Sequence, residues 1–185
     1  PCPCGSGMKF KRCCGKASNK PVSRSFAPPA PAPIEFDRLV ALFHSGRYAE
    51  LEVQAKMLLE KFPESGLTWK LLCASLQMQG KDALQALEKA AALLPDDAET
   101  QNNLGLALQD LGQFDSAVAS YRRALTIDPD NAEVHNSLGT VLQDLGEFDA
   151  AVKSYRLALK LKPDYAEGYN NLGIAFQELR RHDDA

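Results

Sequence analysis

Apolar side chains recur along the middle of the chain with the spacing of a helix face. Leu104, Ala107, Leu108 and Leu111 stand at i, i+3, i+4 and i+7, which places them on one side of a 3.6-residue turn. Gly112 follows as the residue best suited to a left-handed helix end, and Asp115 then sits where the first turn of a new helix favours negative charge. Ala117, Val118, Tyr121, Ala124 and Leu125 form the next apolar face. Pro129 ends that helix and Asn131 stands where it can cap another. The pattern predicts a hairpin of two helices, A and B. Gly105 and Ala117 are small where the pair would cross, with Tyr121 and Leu104 filling the space beside them.

The hairpin is repeated. Pro63, Pro95, Pro129 and Pro163 are spaced 32, 34 and 34 residues apart, a period that marks a repeat architecture. Residues 98–131 and 132–165 align as two full copies, and 166–185 begin another that ends early in its helix B. Two more divergent copies precede them. Gly46, Tyr48, Leu51, Leu58 and Pro63 fit residues 34–65; Trp69, Leu72, Ala83, Ala90 and Pro95 fit 66–97, with two residues deleted in the inter-helix turn. Cys73 takes the place of Gly105 and Gly139, and Trp69 a packing position, so both read as structural. One hairpin cannot hide both its faces, so successive hairpins should stack into an all-α, curved solenoid with a groove. In the incomplete copy Leu172, Phe176 and Leu179 should lack part of their packing and fray.

The residues Leu104-Gly105, Phe114, Ala117, Tyr121, Ala124 and Pro129, matched by Leu138-Gly139, Phe148, Ala151, Tyr155, Ala158 and Pro163, resemble the tetratricopeptide (TPR) repeat. The resemblance implies a right-handed superhelix whose A helices line the concave surface, with an asparagine ladder that hydrogen-bonds an extended peptide. Asn102, Asn103, Asn136, Asn170, Asn171, Gln109, Gln143 and Gln177 occupy the outward positions of helix A. Asn103 and Asn171 match the ladder, whereas Ser137 interrupts it. An amide both donates and accepts, so such a row can hold backbone with little sequence preference, and the accompanying acids favour basic segments. An ordinary solvated helix surface would have the same composition.

Charge and cysteine content separate the front of the chain from these repeats. Residues 1–34 carry Lys9, Lys11, Arg12, Lys16, Lys20 and Arg24 and no acid, which leaves 15 basic against 24 acidic residues in the remainder. A basic head therefore precedes an acidic body. Residues 17–33 hold Pro21, Pro28, Pro29, Pro31 and Pro33 among serine and alanine, the composition of a semi-rigid linker. Residues 1–16 contain Cys2, Cys4, Cys13 and Cys14. Four soft thiolates match the tetrahedral preference of a single structural Zn2+. Disulfides, a redox thiol set or incidental cysteines are the competing readings. Adjacent Cys13 and Cys14 do not easily bridge each other, and about 15 residues are too few to fold without a metal. Gly5-Ser6-Gly7 would turn the chain after the first ligand pair, Lys9, Lys11 and Arg12 would offset the site's charge, and Phe10 would cover it.

The stretch PCPCGSGMKFKRCCG resembles the SEC-C motif, a zinc-binding module found at the C-terminus of the bacterial translocase ATPase SecA and on other bacterial proteins. Cys14 stands where the SecA form usually has histidine, which keeps a ligand in place. With four protein ligands the ion would hold no activated water.

No catalytic constellation is visible in the chain. His44, His135 and His182 belong to different repeats, and the repeat Leu-Gly pairs lie within helices rather than phosphate loops. The first expectation is therefore a cytoplasmic scaffold that binds protein or peptide ligands in its groove. A second is the substrate-recognition arm of a larger transferase, since NNLGLALQDLGQFDSAVASYRRAL resembles repeats of bacterial O-GlcNAc transferase-like glycosyltransferases, and comparable heads precede some sulfotransferases. A third is a secretion- or ribosome-associated adaptor. The basic head offers nucleic acid only non-specific, salt-sensitive attraction. No run is apolar and long enough to span a membrane, and Pro1-Cys2-Pro3-Cys4-Gly5 lacks the apolar h-region of a signal peptide.

Overall fold

The computed structural model describes residues 31–183, with side chains to Arg180. The four cysteines of the head and most of the linker lie outside the described residues. The remainder is helical: α1 (Pro33–His44), α2 (Tyr48–Lys61), α3 (Gly66–Met78), α4 (Leu84–Leu93), α5 (Ala98–Asp110), α6 (Phe114–Ile127), α7 (Ala132–Asp144), α8 (Phe148–Leu161) and α9 (Ala166–Asp183). Odd-numbered helices are the A helices and even-numbered ones the B helices of stacked hairpins. Pro33, read from sequence as the linker's last residue, is the first residue of α1, where its missing N–H costs nothing.

All four hairpins close in the same way. Gly46, Gly80, Gly112 and Gly146 take φ of 71°, 66°, 70° and 76°. The next residue's N–H then bonds back across the turn: Arg47 to Leu42, Lys81 to Leu76, Gln113 to Leu108 and Glu147 to Leu142, at 3.0, 2.9, 2.9 and 2.8 Å. This is the Schellman closure, and it needs a left-handed residue that glycine supplies without strain. Asn131 caps α7, its Oδ1 accepting from the Val134 N–H at 3.1 Å.

Three expectations are corrected. The two-residue deletion does not shorten the turn, because Gly80 keeps its closure; it shortens α4 to 10 residues where α2, α6 and α8 have 14. Leu111 does not join the core. It is the C-cap of α5, beyond the last helical turn, and is 57% exposed. Residues 181–183 do not begin a new helix B, since α9 continues through them. Arg180 occupies the place of Gly112 and Gly146 and lacks their ease of left-handed conformation.

The core follows the stacking. One cluster joins Leu39, Leu42, Leu51, Leu58, Leu72, Cys73 and Leu87; the other joins Leu108, Val118, Tyr121, Leu138, Val141, Tyr155 and Ala175. Leu104 packs against both. At the far end Leu172 and Leu179 are partly buried against the second cluster, while Phe176 is 40% exposed and receives the Arg156 guanidinium over its ring.

Side chains also lock one hairpin to the next. Trp69 Nε1 donates to the Pro63 carbonyl at 2.7 Å, and His135 Nε2 sits 2.9 Å from the Pro129 carbonyl at the equivalent position. In the intervening repeat Gln101 Nε2 donates to the Ala91 carbonyl at 3.0 Å. Glu52 of α2 accepts from Lys56 at 2.6 Å, from Lys81 at 2.7 Å and from Gln79 at 3.2 Å, so it ties the first hairpin to the second. The hydrogen bonds from Lys56 and then Lys81 hold its carboxyl down at about 2. A depressed carboxylate stabilises the fold above its unfolded pKa and loses that contribution as pH falls toward the folded one. Urea unfolding of Glu52→Gln is therefore expected to be flatter than wild type between about pH 4.5 and 2. Parallel pH profiles would contradict this role.

Candidate peptide-binding groove

The A helices lie side by side, α1 against α3, α5 against α7 and α7 against α9, so equivalent residues form rows that cross them. The row nearest the helix starts is Leu67, Glu99, Glu133, Glu167. The next two are Lys70, Asn102, Asn136, Asn170 and Leu71, Asn103, Ser137, Asn171. Further along come Ala74, Leu106, Thr140, Ile174 and then Gln77, Gln109, Gln143, Gln177. Repetition of the hairpin alone sets this order, because each A helix presents the same face to the same side.

The expected ladder residues do not share one environment. Asn136 is buried at 3% exposure; it donates to Glu167 Oε1 at 3.2 Å and accepts from Asn171 Nδ2 at 3.1 Å. The expectation that its amide faces outward is corrected, because the next repeat covers it and uses both its functions. Gln109 accepts from the Tyr121 hydroxyl at 2.9 Å, and Gln143 from that of Tyr155 at 3.4 Å. These two glutamines anchor buried tyrosines. Burial pushes the Tyr121 phenol up to about 12, against a smaller opposite effect of its hydrogen bond with Ser137. Asn103 is half-buried, and Asn170 and Gln177 are exposed. None of these three side chains makes a hydrogen bond among the described residues, and Asn171 retains acceptor capacity beyond its bond to Asn136.

Ser137 has a structural consequence in this register. Asn102 is the counterpart of Asn136, and its Oδ1 is closed off from solvent without a hydrogen-bond partner. The residue that should donate to it is the counterpart of Asn171, which is Ser137. Serine is too short to bridge the helices. A buried unpaired acceptor is costly, so Ser137→Asn is expected to stabilise the chain by about 1 kcal/mol. Asn171→Ala, which strands Asn136 Oδ1, should destabilise it by a similar amount. Chemical denaturation of both variants reads the difference, and a neutral or destabilising Ser137→Asn would contradict the ladder geometry.

Two apolar residues also belong to this face. Leu106 and Ile174 share one row and are 42% and 38% exposed. Lys70 replaces the asparagine of its row and bonds across to Asp97 at 2.7 Å and Glu99 at 2.6 Å. The register of the repeats reveals all three.

Residues 110–146 and 141–179 match the family described as TPR repeat. The match runs from the end of α5 to near the end of α9, and the hairpins there are similar to TPR repeats. Residues 1–16 match the SEC-C motif. The TPR solenoid has close structural counterparts. The crystal structure of MamA protein superposes with a TM-score of 0.74 at 24% identity, covering 82% of this chain and 84% of that one. YrrB, described as a TPR protein with an unusual peptide-binding site, superposes with a TM-score of 0.76 at 18% identity, covering 81% and 78%. These likenesses establish the fold. No curated protein matches the chain. Among the described residues no group of three or more His, Cys, Asp or Glu is placed to hold a metal, and no helix is long and apolar enough to cross a membrane.

Proposed function

We propose that the A-helix face of α5, α7 and α9 is a groove for an extended protein segment, and that the protein is an interaction scaffold in the cytoplasm. One observation carries this reading: amides with unused hydrogen-bonding capacity, Asn103, Asn170, Asn171 and Gln177, flank the exposed apolar pair Leu106 and Ile174 on a single face. Amides satisfy the backbone of an extended ligand while the apolar row accepts its alternate side chains. Glu99, Glu133 and Glu167 along one margin select for basic character. The fold shared with YrrB, a peptide-binding TPR protein, supports the same use. The SEC-C match at residues 1–16 supports a zinc-binding head built on Cys2, Cys4, Cys13 and Cys14.

The test is fluorescence anisotropy with a set of labelled 12-residue peptides that alternate lysine with apolar residues. Asn103→Ala combined with Asn171→Ala removes two backbone-holding amides and is expected to weaken binding about thirtyfold, given roughly 1 kcal/mol per hydrogen bond. Leu106→Glu should weaken it at least as much by placing a charge in the apolar row. Unchanged affinity in both variants would remove the groove from consideration.

A further inference from the structure

The face presented by the A helices changes character along the solenoid. On α5, α7 and α9 both margins of that face are acidic, with Glu99, Glu133 and Glu167 near the helix starts and Asp110, Asp144 and Glu178 near the ends. At the matching places α3 carries Leu67 and Met78, which are 51% and 59% exposed. Leu71 and Ala74 lie between them at i+4 and i+7 from Leu67, so the four form one stripe, and these two are half-buried. The helix holds no acid anywhere in Gly66–Met78. On neighbouring α1, Phe36 and Val40 stand where α5 has Asn102 and Leu106, with the exposed Asp37 between them. Single exposed apolar residues are ordinary, whereas a stripe of them on a face that is polar elsewhere marks a contact.

Lys70, the only charged residue of α3, is turned toward α5, where it bonds to Asp97 at 2.7 Å and to Glu99 at 2.6 Å. That pairing neutralises the acid margin of α5 at the helix start. On the opposite margin Asp110 and Asp144 make no hydrogen bond or ion pair among the described residues. Uncompensated negative charge therefore lies on the side of α5, α7 and α9, and bare apolar surface on α3. Cations of a ligand placed over α3 would find no acid and would lie beside Lys70. Apolar residues placed over α7 and α9 would give up the attraction of the acid margins. Both effects favour one arrangement of a ligand on the face.

We propose that α3 is an apolar anchor site at one end of the groove, and that the partner segment is divided to match: an apolar end over Leu67, Leu71, Ala74 and Met78, and an extended basic end over α7 and α9. This rests on the groove reading and deepens it by giving the ligand an order. Neighbouring packed helices lie about 10 Å apart, so α3 and α9 are separated by roughly 30 Å, which about nine extended residues span. The change from apolar to basic falls over α5, where the exposed Leu106 stands beside Asn103. The basic end is held by partly exposed charge and weakens with salt, whereas the apolar end does not.

The test uses the full chain and three labelled decapeptides of one composition: Leu-Leu-Ala-Leu followed by three Lys-Ser pairs, the same sequence reversed, and a shuffled sequence. One of the two ordered peptides is expected to bind about tenfold more tightly than the shuffled one, the worth of roughly one buried leucine side chain. Leu67→Glu/Met78→Asp gives α3 the acids that α5 carries at the same places. Both side chains are exposed, so the helical signal of this variant should match wild type. It is expected to bring the ordered peptide down to the affinity of the shuffled one, while the shuffled peptide keeps its affinity or gains. Equal binding of all three peptides to wild type, or an order preference that the variant leaves intact, would overturn the proposal. If the peptides bind without regard to order and still respond to Asn103→Ala/Asn171→Ala, the groove stands and only the anchor falls; if none binds, both fall. Dimers in sedimentation that Leu67→Glu/Met78→Asp abolishes would give the stripe to a second copy of the chain and overturn the proposal as well.

Discussion

Replacing Gly105 by cysteine and Tyr121 by leucine together is expected to cost far less stability than the two single changes added. A Cβ on Gly105 would lie 2.6 Å from Cε1, 2.7 Å from Cδ1 and 3.0 Å from Cζ of Tyr121. Those are atoms of a rigid ring that is itself fully buried, so the ring cannot swing aside. Gly105→Cys alone should destabilise by about 3 kcal/mol or more, at the upper end of overpacking. Tyr121→Leu alone empties part of the ring's volume and removes the bond to Gln109, at about 2–4 kcal/mol. The second repeat already contains the relaxed combination. Cys73 stands at the glycine position and Leu87 at the tyrosine position, both buried in one cluster at 4% and 2% exposure. The bulk has moved from one helix to the other with the crossing filled in both cases. A double-mutant cycle by urea unfolding should return a favourable coupling of at least about 1 kcal/mol. Gly139 and Tyr155 repeat the geometry at 2.6 Å and should give the same result. Strict additivity at both sites would show that these pairs do not share one volume.

The sequence makes some of this architecture plain and hides the rest for identifiable reasons. The proline period and the turn glycine Gly112 are local signals, because a left-handed φ is a property of one residue, and α6 follows Gly112 as that signal predicts. The short α4 is harder to see. A gap in an alignment does not say whether the turn or the helix absorbs it, and here the Gly80 closure wins over the first helical turn. The continuation of α9 is legible only once Arg180 is set beside Gly112 and Gly146. The groove is the least local feature. Asn136 and Asn170 occupy one repeat position, yet the first is buried and the second exposed, because burial there depends on whether another hairpin lies over the face. Gln109 and Gln143 likewise read as surface amides until the tyrosine twelve residues on is seen to reach them. Periodicity within one helix reports its own face; only the register between repeats reports the ladder.

Purified from a medium containing zinc, the full chain is expected to carry one Zn2+ in native mass spectrometry, and Cys13→Ser is expected to carry none. Five cysteines are present, but Cys73 is buried in the solenoid core and burial pushes its thiol up to about 11. It has no thiolate to offer near neutral pH, so Cys73→Ala should keep the full metal load. The four remaining thiolates in the first 14 residues can complete a tetrahedral shell without a fifth ligand or water. Cys14→His should retain zinc because the SecA form of the resembling motif uses histidine there and imidazole is an ordinary zinc ligand. Cys14→Ser should not. Structural zinc contributes about 10–16 kcal/mol of apparent binding to modules this small near pH 7, so the losses should be all or none rather than graded. Because each thiol must give up its proton to bind, metal release should set in as pH falls, while the helical signal of the TPR hairpins is unchanged by chelation. Wild type isolated without metal, or zinc retained in Cys13→Ser, would exclude the four-cysteine site. A chelator that melted the helices as well would show that the head and the solenoid fold as one unit, in conflict with the linker between them.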